Sequence, residues 1–228
     1  MNLVITGANR GIGLELVRQY LGRGDSVHAG VRDPASAAEL TALGQQHPGR
    51  LHVAACDVAD EASVRAFAAQ VQGPVHLLVN NAGMRQRPDE LEDLGAEAVL
   101  RTFQVNALGP LLLTRALLPR LRAAKGAKVA SLGSGLGSIA DNTSGGVYGY
   151  RMSKAALSMA TRSLAQDLRE DGILAVVVSP GWVKTDMGGP EAPLTVAESA
   201  AGMVAFLDGL LPAQSGGFFD YRGERVAW

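Results

Sequence analysis

The sequence has almost no cysteine. Cys56 is the only one in 228 residues, so no disulfide framework is open to the chain. Its thiol ends a predicted strand and reads as a small core residue. Histidine is sparse too: His28, His47, His52 and His76 are scattered and make no metal-ligand spacing. No metal site is expected. Excess charge of either sign is also missing. A formal net charge of −1 gives no electrostatic reason to expect nucleic acid or an acidic membrane as a partner. No apolar run reaches the ~20 residues that a membrane span needs. The first strand signal begins at residue 2. That leaves no room for the charged and apolar regions of a secretory leader. The expectation is a soluble, cytoplasmic protein.

What is present fits one α/β domain over residues 1–228, with an ordinary 47% hydrophobic content and a core large enough to need no staples. Apolar strand signals fall at about 2–5, 26–31, 51–55, 75–79, 127–132, 173–179 and 217–220. Helical patterns lie between them, clearest at 11–23, 60–71, 97–122, 149–169 and 195–210. Such alternation predicts a doubly wound, Rossmann-like fold: a seven-stranded, mostly parallel sheet with helices on both faces. There is no internal repeat and no interdomain linker. Gly188-Gly189-Pro190 and Pro193 break the pattern and read as a flexible loop.

Two local patterns carry chemistry. Asn2-Leu3-Val4-Ile5 leads into Thr6-Gly7-Ala8-Asn9-Arg10-Gly11-Ile12-Gly13, and Leu14, Leu16, Val17, Tyr20 and Leu21 follow at helical spacing. Strand, glycine turn and helix make a phosphate cradle. Glycines let backbone approach a pyrophosphate, and the helix N-terminus offers free N–H groups and partial positive charge. The spacing is G-x-x-x-G-x-G rather than the general G-x-G-x-x-G. The second pattern is Tyr150-Arg151-Met152-Ser153-Lys154. Positions i and i+4 share a helix face, so an ammonium sits beside a phenol. A nearby cation favours the phenolate, and a tyrosine tuned this way can donate or accept a proton.

With Asn80-Asn81-Ala82-Gly83, Asn106, a serine ahead of Tyr150, and Pro180-Gly181 in the same order, the chain resembles the short-chain dehydrogenase/reductase family from residue 2 to its end. The segment from Leu136 to Lys154, with Asn142-Thr143-Ser144-Gly145-Gly146 inserted, resembles the branch of sniffer-type carbonyl reductases and C-signal-type proteins. The resemblance implies a catalytic set of Asn106, Ser134, Tyr150 and Lys154. It implies cofactor contacts at Gly7, Asn9, Arg10, Gly11, Ile12, Gly13, Arg32, Asp57, Val58, Asn80, Ala82, Gly83, Tyr150, Lys154, Pro180, Gly181, Val183 and Thr185. It also implies a substrate lid at about 184–195.

Some assignments keep an alternative. Ser134 is preferred over Ser138 because it directly follows the fifth strand, where Gly133 replaces the first of a serine pair. Asp57 is either an adenine contact or part of a helix N-cap. Tyr148 has Met152 at i+4 and reads as packing or pocket lining. Asn106 suits a helix interior poorly, and the resemblance implies a local distortion there that holds a water beside Lys154. Lys154 is also implied to lower the Tyr150 pKa and to grip the nicotinamide ribose. Trp182 and Met187 hint at an apolar pocket, or at core.

The second strand ends in Arg32-Asp33-Pro34, which contains both the acid suited to a ribose hydroxyl and the cation suited to a 2′-phosphate. Asp33 before a proline also suits a helix cap. Arg32, with Arg10 in the glycine loop, favours NADP(H) over NAD(H). The expected activity is NADPH-dependent reduction of a small carbonyl, or the reverse oxidation of an alcohol. The alternative is a cofactor-binding signalling or redox-sensing protein of C-signal type. Apolar stretches Leu111-Leu112-Leu113 and Ala155-Ala156-Leu157, in helices through which relatives pair, point to a homodimer or homotetramer.

Overall fold

Leu3, Val4 and Ile5 have no exposed surface. Leu3 and Ile5 pack into one hydrophobic cluster and Val4 into the other, the period-two alternation of a strand buried on both faces. The same logic builds the whole sheet. The computed structural model describes residues 1–228. It runs β1 (Asn2–Thr6), α1 (Gly11–Gly22), β2 (Ser26–Val31), α2 (Ala38–Gln46), β3 (Leu51–Ala55), α3 (Glu61–Gln70), β4 (Leu77–Asn80) and α4 (Ala96–Phe103). It continues with α5 (Gly109–Arg122), β5 (Lys128–Leu132), α6 (Tyr148–Asp167), β6 (Leu174–Ser179), α7 (Val196–Asp208) and β7 (Phe218–Asp220).

The strands form one seven-stranded sheet in the order β3-β2-β1-β4-β5-β6-β7. All six pairings are parallel, so the expected "mostly parallel" sheet is wholly so. One core holds Leu16, Val17 and Tyr20 of α1, Leu40 of α2 and Met203 of α7. The other holds Val64 and Phe67 of α3, Leu113 and Leu117 of α5 and Ala165 of α6. Burying a side chain such as Phe67 or Leu113 contributes about 1.5–3 kcal/mol. β1 lies between β2 and β4. The chain reverses direction across the sheet there, and this switch point opens a crevice at the carboxyl ends of the strands.

Two features depart from the expected pattern. The long helix at 97–122 is broken: Gln104–Leu108 form a π-helical turn between α4 and α5. α2 is not among the clear helical signals, because its nine residues bury only Leu40 and Leu43.

Candidate active site

The glycine loop folds as a cradle for stated reasons. Gly7 (φ +62°) and Gly11 (φ +53°) hold left-handed backbone that other residues rarely adopt. Gly13 is required by space, since a Cβ there would lie 2.4 Å from the Gly7 carbonyl oxygen. Arg10 stands at the N-cap of α1 but gives it no side-chain hydrogen bond, so the first N–H groups of a twelve-residue helix face the loop uncapped.

The Asn80–Gly83 segment pins this loop from β4. Asn81 Nδ2 donates to the carbonyls of Thr6 (2.7 Å) and Gly7 (3.0 Å), and the Ala82 N–H donates to Thr6 Oγ1 (3.1 Å). Asn80 turns its side chain into the interior, where Nδ2 donates to Thr114 Oγ1 at 3.3 Å. Its Oδ1 is buried without a partner. Asn81 is the residue that sequence reasoning passed over. Its signal was available, since it is the first side chain beyond the strand.

Tyr150 and Lys154 lie one turn apart on α6, with Lys154 Nζ 5.7 Å from the phenol ring centroid. Both are buried. Burial raises the Tyr150 pKa above its ordinary value. Interaction with the Ser134 side chain pulls it back, as does the charge of Arg85. The expected lowering by Lys154 is therefore corrected: in this structure desolvation of the phenol wins. Burial also lowers the Lys154 pKa to about 8. Lys154 Nζ donates to the Leu132 carbonyl at 2.7 Å, which leaves two of its protons for other acceptors.

Ser134 caps a short 3₁₀ turn, accepting from the Leu136 N–H at 3.2 Å. Ser138 is engaged elsewhere: Oγ accepts from the Asp141 N–H at 3.1 Å and donates to the Trp228 carbonyl at 3.4 Å. Of the two serines, only Ser134 acts on the Tyr150 pKa. A Cβ at Gly133 would lie 2.4 Å from Val177 Cγ1, so packing leaves no room for a second serine there.

Asn106, in the π turn, is fully buried. Oδ1 accepts from the Met84 N–H (2.8 Å), and Nδ2 donates to the Met84 carbonyl (2.8 Å) and to Ser153 Oγ (2.9 Å). Its side chain thus clamps the chain beyond Gly83 to α6. The local distortion expected at Asn106 is this π turn. A Cβ on Gly83 would sit 3.4 Å from Asn106 Oδ1 and 3.6 Å from Lys154 Nζ, so the glycine keeps that approach open.

Asp89 is a second residue that sequence reasoning missed. Its buried carboxylate accepts from the N–H groups of Gly149 (2.6 Å) and Tyr150 (3.1 Å), and its carbonyl accepts from Tyr148 (3.1 Å). Val147, the local N-cap, gives no side-chain bond and sits at φ +54°. A remote acid therefore caps the helix that carries the phenol.

At the cofactor end, Asp33 accepts from the Ala35 N–H at 3.1 Å and caps the turn Pro34–Ser36. Arg32 is exposed beside it. Arg10 pairs with Asp186 at 2.5 Å, and both are well exposed. Asp57 Oδ1 accepts from the Ala59 N–H (3.0 Å) and its other oxygen lies 3.4 Å from Arg101. Asp60, not Asp57, caps α3. Val58 is buried. Pro180 follows β6, with its carbonyl accepting from Ser199 Oγ at 2.7 Å, and Gly181 takes φ +80°.

A β-bridge and hydrogen bonds shape the 184–195 segment. Val183 bridges Leu194, the Lys184 N–H donates to the Leu194 carbonyl (2.9 Å), and Trp182 Nε1 donates to the Gly188 carbonyl (2.7 Å). Thr185 packs toward the glycine loop, 3.5 Å from where a Gly11 Cβ would be. Trp182 and Met187 are exposed, 57% and 42%, and so are not core. Tyr148 opens α6, partly buried.

The glycine loop thus meets the Ala82 backbone, and Gly83 passes the Lys154 ammonium, which lies one turn from the buried phenol. The family model for short chain dehydrogenases matches residues 1–193. The C-signal protein of Myxococcus xanthus is 52% identical over 166 residues, which are 72% of this chain and all of that protein. The solved carbonyl reductase Sniffer of D. melanogaster superposes with a TM-score of 0.96 at 35% identity, covering 100% of this chain and 99% of the other. An NADPH-bound carbonyl reductase from chicken fatty liver superposes at 0.95 with 38% identity, covering 100% and 98%. The chain belongs to the short-chain dehydrogenase family.

Proposed function

We propose that this protein is an NADPH-dependent carbonyl reductase, with Tyr150 as general acid. The observation that carries this reading is the buried Tyr150 with Lys154 Nζ 5.7 Å from its ring centroid, and with the Ser134 side chain acting against the rise in its pKa. The whole chain, 1–228, acts as one cofactor-binding unit with 184–195 as its lid, working in the cytoplasm. No helix of the structure is long and apolar enough to cross a membrane.

The residues fit a dinucleotide. The uncapped start of α1 and the left-handed Gly7 and Gly11 receive the pyrophosphate, with Asn9 and Ile12 flanking it. Asp57 and Val58 border the adenine, and Ala82 and Gly83 let backbone pass close. Pro180, Gly181, Val183 and Thr185 line the nicotinamide side. When bound, the reduced nicotinamide supplies the hydride. The chain supplies the rest. Ser134 hydrogen-bonds the substrate oxygen, Tyr150 protonates it as charge develops, and Lys154 steadies the phenolate and holds the ribose. Asn106 keeps the floor of the site in register through Met84 and Ser153. A screen of carbonyl compounds, read by NADPH oxidation, tests the reading. Tight NADPH binding with no turnover of any carbonyl would favour a C-signal-type sensor.

Cofactor choice rests on Arg32. Asp33 spends its carboxylate on the Ala35 N–H, leaving the exposed guanidinium of Arg32 for a 2′-phosphate. NADP-bound and NADPH-bound relatives support this reading. Arg32→Asp is expected to move the preference in kcat/KM from NADPH toward NADH. Equal or better wild-type kcat/KM with NADH would show that Asp33 serves the ribose instead.

The chain is expected to pair with copies of itself through α4–α5 and α6. Leu113 and Leu157 are buried against the sheet, but Leu100, Phe103, Leu111, Met152 and Met159 remain exposed, at 63%, 42%, 37%, 55% and 68%. Light scattering at micromolar concentration should give a dimer or tetramer mass. A monomer mass would contradict this.

A further inference from the structure

We infer that Arg85 receives an oxyanion on the substrate, so that the natural substrate is a carbonyl compound bearing a carboxylate or phosphate. This deepens the carbonyl reductase reading and rests on it. Arg85 follows Gly83 and Met84 out of β4. Met84 is clamped on both its N–H and its carbonyl by Asn106, and Gly83 passes Lys154 Nζ. Arg85 therefore leaves the chain at the floor of the active site, and its charge reaches the Tyr150 phenol.

Its hydrogen-bonding capacity is unspent. Nε is buried and has no partner. The acid nearest in sequence, Asp89, has already committed both oxygens to the start of α6. A buried guanidinium N–H without an acceptor is costly. Two other arginines near the site find acceptors: Arg151 bonds Gly146, Leu136 and Ser144, and Arg101 bonds Asp57. The fork of a guanidinium matches a carboxylate or phosphate in two parallel bonds. A substrate oxyanion seated there would satisfy Nε and fix the carbonyl's distance from Tyr150. Binding energy from a remote group would then orient the reacting carbon.

The test uses straight-chain oxo acids with two to six carbons between carbonyl and carboxylate, their methyl esters and the matching oxo alkyl phosphates, all with NADPH. Wild type is expected to prefer one length of acid or phosphate over its ester by roughly 10- to 100-fold in kcat/KM. Arg85→Met keeps an apolar stem and should erase that ratio, chiefly through KM. Which anion gives the larger ratio identifies the source of the oxyanion. Calorimetry of the same carboxylates and phosphates on the NADP⁺ complex gives a readout without turnover. Arg85-dependent binding with no hydride transfer would keep the anion site and sink the reductase reading. Reduction of acids and esters at equal efficiency, or an unchanged ratio in Arg85→Met, overturns the inference.

Discussion

Tyr150→Phe is expected to lower the rate of carbonyl reduction by about 10²–10⁴-fold while NADPH binds as before. The substitution keeps the ring and removes only the hydroxyl. The ring is buried on α6, whose first turn Asp89 holds through backbone N–H groups, so the fold has no reason to change. What is lost is the hydroxyl proposed as the proton donor. The raised pKa of Tyr150 suits this direction of reaction, since a phenol above its ordinary pKa stays protonated through neutral pH. Unchanged turnover in this variant, measured by NADPH oxidation and product analysis, would remove Tyr150 from the mechanism.

Lys154→Ala is expected to cost both rate and cofactor affinity, each by roughly 10- to 100-fold, because one ammonium serves two acceptors. Lys154→Met keeps the buried volume and separates this loss from a packing defect. NADPH titration and steady-state kinetics on both variants read the two effects. An unchanged NADPH affinity would contradict the ribose role. A pH profile adds an independent sign. With its pKa lowered to about 8 by burial, Lys154 loses its charge as pH rises through that value. Wild-type kcat/KM for NADPH should fall there, and the variants should lose that limb. Folding runs the other way. The unfolded chain holds the proton up to the ordinary 10.5, so this group's contribution to stability rises with pH between about 8 and 10.5. A fall in activity near pH 8 is therefore not loss of fold.

The parts of this site that the sequence made legible are those whose cause is local. Gly7, Gly11 and Gly13 announce a turn with positive φ and a close backbone approach, and each is used in that way. Asp33 before Pro34 announces a cap and makes one. The i, i+4 spacing set Lys154 beside Tyr150. The parts that stayed hidden depend on distant residues. Asp89 meets α6 across 60 residues, and no local pattern marks it. The Tyr150 pKa came out with the opposite sign because a pairwise reading counts the neighbouring cation but not the desolvation that tertiary packing imposes. The sequence shows Arg10 as a free cation in the glycine loop, while the fold brings Asp186 to it from the 184–195 segment. The π turn at Asn106 left only a polar residue in an apolar helix as its trace. Its reason, the bonds to Met84 and Ser153, lies in the fold.

The most direct test is one paired assay: NADPH oxidation by wild type and by Tyr150→Phe across a carbonyl panel, with NADPH binding measured on both. The account predicts carbonyl-dependent oxidation with one alcohol formed per NADPH in wild type, near-complete loss in the variant, and equal NADPH affinity. Tight NADPH binding by wild type with no carbonyl reduced, or a variant that turns over at the wild-type rate, would contradict it.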